Sequence, residues 1–286
     1  MKTASALLLY CLTFSVTAEV LDKKTIDNGG SGPFKAIAAS ESSLPDYVVY
    51  RPKDLQSVAK KQQALPLIVF ANGGCKDTSY PFERMLSEVA SHGYLVVALG
   101  SMQRRLDDRT LNKSPNQQMP QAIDWAQSQN QTASSAYFNK IDMAHVAFAG
   151  QSCGGAQVLA MADDPRVTSY LMFNSGIGDM TMAEADQESL QQLHTPTLYL
   201  IGGESDVAYE NALKDYQRIT RVPVAFANAV NAGHSGTFEE PNGGAFAQMA
   251  LKWLDWQLKS KNENSAVFLK SDLSAFPDWT MKSKNF

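Results

Sequence analysis

The amino-acid sequence reads as an α/β chain: a doubly wound, mainly parallel sheet with helices on both faces and no large cap domain. Short apolar runs recur along it. Several are continuously apolar rather than alternating, as strands covered on both faces are. Stretches with apolar residues at helical spacing lie between them, and that alternation builds parallel strands joined by crossover helices.

Taken in order, residues 19–45 are rich in Gly, Ser, Ala and Asp and read as an irregular lead-in. Strands are expected at 47–50, 67–70, 95–98, 146–149, 170–173, 197–201 and 224–227. Helices are expected at 82–91, 120–128, 157–162, 211–218 and 244–258. In the last, Phe246, Met249, Ala250, Trp253 and Gln257 share one face, the pattern of a core-packing stripe. Residues 101–118 and 174–195 lack a strand pattern and are too short for a cap, so an open cleft is expected. The tail around Phe276-Pro277-Asp278-Trp279 is assigned no catalytic role.

The chain has 286 residues, 44% of them hydrophobic, which supports a sizeable core and excludes general disorder. A net charge of −4 with no basic block excludes a nucleic-acid partner. Residues 1–18 read as a signal peptide: Lys2 supplies the positive start, 4–16 are largely apolar, and Val16-Thr17-Ala18 resembles a cleavage site. That stretch is too short for a membrane span and no other segment could serve, so the protein is expected to be secreted or periplasmic, without stable membrane insertion. Residues 19–286 are then expected to form one domain. Nothing in the sequence fixes an oligomeric state.

Of three cysteines, Cys11 would leave with the signal, and Cys75 and Cys153 would remain as one bridge in an oxidising compartment. Their spacing does not suit zinc, and no metal or cofactor is expected.

The chemistry concentrates at Gly150-Gln151-Ser152-Cys153-Gly154, which ends the apolar run Val146-Ala147-Phe148-Ala149. This is the G-x-S-x-G form of a tight strand-to-helix turn that lifts one serine above the sheet. Its glycines keep a cramped turn free of Cβ atoms. A serine hydroxyl needs a base to take its proton and a third group to orient that base. In an open parallel sheet, functional groups gather at the carboxyl ends of strands. Of four histidines, His92, His145 and His194 precede strands, whereas His234 follows the 224–227 run and is the candidate base. The acid is expected after the 197–201 run, as Asp206 with Glu204 as fallback; Asp163, Asp164 and Asp179 read as surface acids. The order Ser152, Asp206, His234 is the one expected for this architecture.

An oxyanion needs two preset donors. The backbone N–H of Cys153 is one candidate, and Gly74 or Cys75, in the loop Asn72-Gly73-Gly74-Cys75, supplies the other. If both loops frame one oxyanion, Cys75 and Cys153 are neighbours, and a disulfide between them is expected.

The sequence resembles the α/β-hydrolases over roughly 45–260, in the compact secreted branch with cutinase-like polyester hydrolases, dienelactone-hydrolase-like proteins and chlorophyllase-like esterases. The resemblance rests on Ala90-Ser91-His92-Gly93-Tyr94-Leu95-Val96-Val97, on Lys140-Ile141-Asp142 leading to Gly150-Gln151-Ser152-Cys153-Gly154-Gly155, and on Asn231-Ala232-Gly233-His234 with the following helix. It places Ser152, Asp206 and His234 on the triad positions. The chain departs from dienelactone hydrolases in having Ser152 where they carry cysteine. It departs from polyester hydrolases in having Asn72-Gly73-Gly74-Cys75 and Cys153 where they place an aromatic residue and a methionine. The resulting expectation is a serine hydrolase acting on a small or polymeric carboxylic ester through an acyl-enzyme. A peptidase or amidase with the same residues, and a non-catalytic binding protein on this fold, are the alternatives.

Overall fold

The computed structural model describes residues 18–286, residue 63 excepted. The expected signal peptide therefore lies, but for its last residue, outside the described residues. In chain order the elements are β1 (Val20–Lys24), β2 (Ala36–Glu41), β3 (Leu44–Pro52), α1 (Leu55–Lys61), β4 (Leu65–Ala71), α2 (Glu83–Ser91), β5 (Leu95–Leu99), α3 (Gln118–Gln131), β6 (Ile141–Gln151), α4 (Cys153–Ala160), β7 (Ser169–Phe173), β8 (Thr197–Ile201), α5 (Tyr209–Arg218), β9 (Val224–Ala229), α6 (Gly244–Lys259), α7 (Ser265–Leu269) and β10 (Trp279–Lys284).

The strands form one 10-stranded sheet in the order β1-β2-β3-β5-β4-β6-β7-β8-β9-β10. From β5 to β9 neighbours are parallel; β1, β2 and β3 at one edge and β10 at the other run antiparallel. Strand order reverses between β4 and β6, because β4 is followed by β5 on one side while β6 lies on the other. In open α/β sheets that reversal leaves a crevice at the carboxyl ends of the strands.

Alternate residues of the central strands feed two cores. Leu67 and Val69 of β4 face the side covered by α3 and α4, with Met119, Ile123, Val158 and Leu159. Ile68 and Phe70 face α2 and α6, with Leu86, Val89, Phe246 and Trp253. Both faces of the central strands are thus buried, which accounts for the continuous apolar runs in the sequence.

Each expected strand falls within β3 to β9, and each expected helix overlaps one of α2 to α6. The segment read as an irregular lead-in instead forms β1, β2 and the start of β3, and the tail forms β10. Ala36, Ala38 and Ala39 have weak β propensity, but pairing with β3 buries them completely, and that context overrides propensity. The outer strands carry Asp22, Lys23, Lys282 and Lys284, charges that protect exposed sheet edges from further pairing. The helix expected at 157–162 begins earlier, at Cys153. Helix α1 was not expected: among its described side chains only Leu55 and Val58 are buried, too few for a periodic signal, although Asp54 caps the N–H groups of Gln56 and Ser57.

Two glycines set how closely β6, α4 and β4 approach. A Cβ on Gly150 would lie 2.3 Å from the carbonyl oxygen of Gly154, and one on Gly154 would lie 2.2 Å from that of Ala71. Both clashes are against backbone, which cannot swing away. Gly154→Ala is expected to destabilise the fold by about 3 kcal/mol, the upper part of the usual range for overpacking, read as a lowered midpoint in thermal or urea denaturation. An unchanged midpoint would show that α4 can shift from β4 at no cost.

Candidate active site

Ser152 stands between β6 and α4 with φ 53° and ψ −119°, a conformation that non-glycine residues rarely adopt. Neighbours hold it there. Its N–H donates to Phe173 O at 3.0 Å, and Ser175 Oγ donates to Ser152 O at 2.7 Å. Such strain persists where the surroundings over-determine it.

Asp206 follows β8 and His234 follows β9, so all three side chains emerge at carboxyl ends of parallel strands. His234 Nε2 lies 3.0 Å from Ser152 Oγ, and His234 Nδ1 lies 2.7 Å from Asp206 Oδ1. The Asp206 carboxylate also accepts the N–H of Ala208 at 2.9 Å, the N–H of Gly202 at 3.0 Å, and Nδ2 of Asn174 at 2.7 Å. Burial alone would push this carboxyl up, but the hydrogen bonds from His234, Ala208, Asn174 and Gly202 together outweigh it and hold it below the usual carboxylate range. Asp206 is therefore an ionised acceptor at neutral pH. That fixes the tautomer of the neutral imidazole: Nδ1–H donates to Asp206, and Nε2 keeps a lone pair for the serine hydroxyl.

Cys75 and Cys153 form a disulfide with a Cα–Cα distance of 5.1 Å. It joins the loop after β4 to the first residue of α4, one position beyond Ser152. Asn72 braces the same loop, donating from Nδ2 to Lys76 O at 2.9 Å and to Leu99 O at 2.7 Å. Gly74 and Cys75 both have left-handed backbone, with φ 63° and 53°. Cys75 donates its N–H to Asn72 O at 3.1 Å. The N–H of Cys153, at the start of α4, has no acceptor within the helix.

The remaining candidates lie elsewhere. Glu204 is exposed. His92 pairs with Glu88 at 3.0 Å, His145 with Asp142 at 2.7 Å, and His194 packs on Tyr170. Asp164 pairs with Arg166 and Asp179 with Lys214. Among the described residues no cluster of three or more His, Cys, Asp or Glu could hold a metal ion.

Beside Ser152 and His234 opens a cleft of about 280 Å³, lined on its apolar side by Ala156, Met180, Met182, Val207 and Ala208. The segment bearing the two methionines is anchored through buried Asp215 on α5, which accepts the N–H groups of Ile177 at 2.7 Å and Gly178 at 2.8 Å. Burial pushes the Asp215 carboxyl up to about 6 despite those bonds. A larger hollow of about 650 Å³ lies at the entry ends of β4 and β6, lined by Lys61, His92, His145 and Lys259. It contains none of the Ser152, His234 and Asp206 groups.

Sequence reasoning passed over two residues that touch this constellation. Gln151, the variable residue before the serine, donates from Nε2 to His234 O at 3.1 Å. Asn174 follows β7 and reaches Asp206. Its place at the exit end of a strand was the available signal.

A family model described as PETase: PET hydrolase-like matches residues 32–272 of the chain. No curated protein matches it.

Proposed function

The chain belongs to the PET hydrolase-like family and is an ester hydrolase of the α/β-hydrolase type; we propose that it works as a secreted serine esterase through a covalent acyl-enzyme. The observation that carries this reading is the continuous relay from Asp206 Oδ1 through His234 to Ser152 Oγ, with spacings of 2.7 Å and 3.0 Å.

In this reading Ser152 Oγ attacks the ester carbonyl while His234 Nε2 takes its proton, and Asp206 stabilises the imidazolium that forms. The carbonyl oxygen becomes an oxyanion facing the N–H groups of Cys153 and the loop after β4. Because Cys75 already donates to Asn72 O, Gly74 is the stronger choice for the second donor. The protonated His234 then gives its proton to the departing alcohol. Water, deprotonated by the same nitrogen, attacks the acyl-serine; the acyl C–Oγ bond breaks, His234 returns that proton to Ser152 Oγ, and the acid is released.

The methionines, Val207 and the alanines favour an ester with an apolar arm, free or as part of a polymer, seated in the open cleft. Secretion is supported by the apolar segment after Lys2 and by the disulfide, since such bridges persist in oxidising compartments. Among the described residues no helix is long and apolar enough to cross a membrane.

The test is turnover of a p-nitrophenyl acyl ester series beside peptide substrates, with fluorophosphonate labelling of Ser152 located by mass spectrometry. Esters should be cleaved and Ser152 labelled. Peptide cleavage outpacing every ester, or no label at Ser152, would overturn the reading. Val207 is 78% exposed at the cleft rim. Val207→Ser is expected to raise KM for p-nitrophenyl butyrate about fivefold, the loss of roughly one methylene-equivalent of burial, with kcat little changed. An unchanged KM would place the apolar arm elsewhere.

A further inference from the structure

Asn174 is fully buried directly after β7, with φ 43°, in the left-handed region that asparagine tolerates better than most residues. Its Nδ2 makes two contacts: Asp206 Oδ2 at 2.7 Å and Gly233 O at 3.0 Å. An amide nitrogen has two hydrogens, and both are committed. The reverse orientation would press Oδ1 against a carboxylate and a carbonyl, so the network itself fixes which way the amide faces.

Gly233 immediately precedes His234. That turn lies outside regular secondary structure, so no strand ladder or helix sets the height of the imidazole. Its position is held instead by specific bonds. Asn174 takes the carbonyl of residue 233, Gln151 takes that of residue 234 at 3.1 Å, and Gly233 N–H donates to Gly202 O at 2.6 Å. Asn174 is the single side chain in this set that also grips the acid.

We propose that Asn174 is a positioning residue for the reaction, a two-pronged clamp that aims Asp206 Oδ1 at the imidazole and sets the backbone carrying His234 at the height where Nε2 meets Ser152 Oγ. The proposal rests on the triad reading above. Among the described residues the titratable group hydrogen-bonded to the Asp206 carboxylate is His234; the other bonds, from Asn174, Gly202 and Ala208, come from neutral donors. A change of charge at position 174 therefore acts directly on the Asp206–His234 pair.

Two variants test this. Asn174→Gly keeps the left-handed backbone and removes the amide. Asn174→Asp keeps size and shape but puts one acceptor oxygen in place of the NH₂ that makes both contacts. Rates on p-nitrophenyl acetate are divided by the number of sites titrated to completion with a fluorophosphonate, so that misfolded protein does not count. Each variant is expected to lose about 10- to 100-fold in kcat, the scale of a hydrogen bond to a charged group, with KM within about twofold. In Asn174→Asp the new carboxyl sits against that of Asp206, so the two share one proton, and the acid limb of kcat/KM should shift from the parent's as that pair titrates.

Per-site kcat within twofold of the parent in both variants, with the acid limb unmoved, would overturn the proposal. So would a loss accounted for entirely by fewer titratable sites, which would make Asn174 a folding residue only. Ser152→Ala run in parallel separates the two failures. If it retains turnover, the triad reading falls. If it abolishes turnover while the Asn174 variants match the parent, only the clamp falls.

Discussion

Ser152→Ala is expected to lower kcat on p-nitrophenyl acetate by about 10⁴- to 10⁶-fold while leaving the thermal midpoint within a degree or two of the parent. The size follows from what is removed. In the proposed mechanism no acyl-enzyme can form without Oγ, and what would be left is catalysis by the oxyanion donors and by substrate binding alone. The fold should tolerate the change. Position 152 is held through its backbone, by Phe173 O and Ser175 Oγ, and these bonds do not need the side-chain hydroxyl. A folded Ser152→Ala protein within tenfold of the parent would exclude Ser152 as the nucleophile. The nearby Ser175 would not replace it, because its hydroxyl is spent on the carbonyl of residue 152.

Asp206→Asn is the second large effect, a loss of about 10⁴-fold in kcat. The carboxylate accepts from four donors: His234, Ala208, Gly202 and Asn174. An amide can accept with only one of its two heavy atoms. If its NH₂ faces His234, Nδ1 must become the acceptor, the ring proton moves to Nε2, and the serine loses its base. If its NH₂ faces the other way, it meets Gly202 N–H and the Asn174 amide, donor against donor. Either arrangement is costly.

The same substitution has a pH signature. The native Asp206 carboxyl titrates below the ordinary range, so its stabilising contribution is fully present above about pH 4 and is lost as pH falls through the lowered native value. The difference in thermal midpoint between parent and Asp206→Asn should therefore be largest near neutrality and shrink in strong acid. A difference that grows toward acid pH would mean that Asp206 is not held as an ionised group.

How much of this was legible in the sequence depended on whether the signal was local. The runs that became β4 to β9 are apolar because both sheet faces are covered, and that property survives in a one-dimensional reading. The sharp turn at Ser152 was legible because close backbone contacts exclude side chains at Gly150 and Gly154. The Cys75–Cys153 pair was legible from the cysteine count once Cys11 leaves with the signal, and its approach from the idea of one oxyanion framed by two loops; the bond is present. Asp206 and His234 could be chosen by the end of the strand they follow, and the structure puts them within hydrogen-bonding distance of each other and of Ser152. Strands β1, β2 and β10 were not legible: alanines and lysines become strands there because a neighbouring strand offers a ladder. Asn174 was missed for a similar reason. An asparagine after a strand looks like any turn residue until the two acceptors it joins, 32 and 59 positions away, are seen beside it.

The covalent tie between the β4 loop and the start of α4 spans 78 positions of chain. Chain entropy gives a cross-link of that length roughly 4–5 kcal/mol at most. Its placement matters as much as its energy, because one end abuts Ser152, the proposed nucleophile, and the other sits in the loop after β4. Protein produced in a thiol-rich cytosol would carry both sulfurs reduced, and those two walls would no longer be fastened together. Two batches with identical sequence and mass purity could then differ in specific activity solely through the oxidation history of one pair of atoms, and thiol titration should accompany every rate measured on this enzyme.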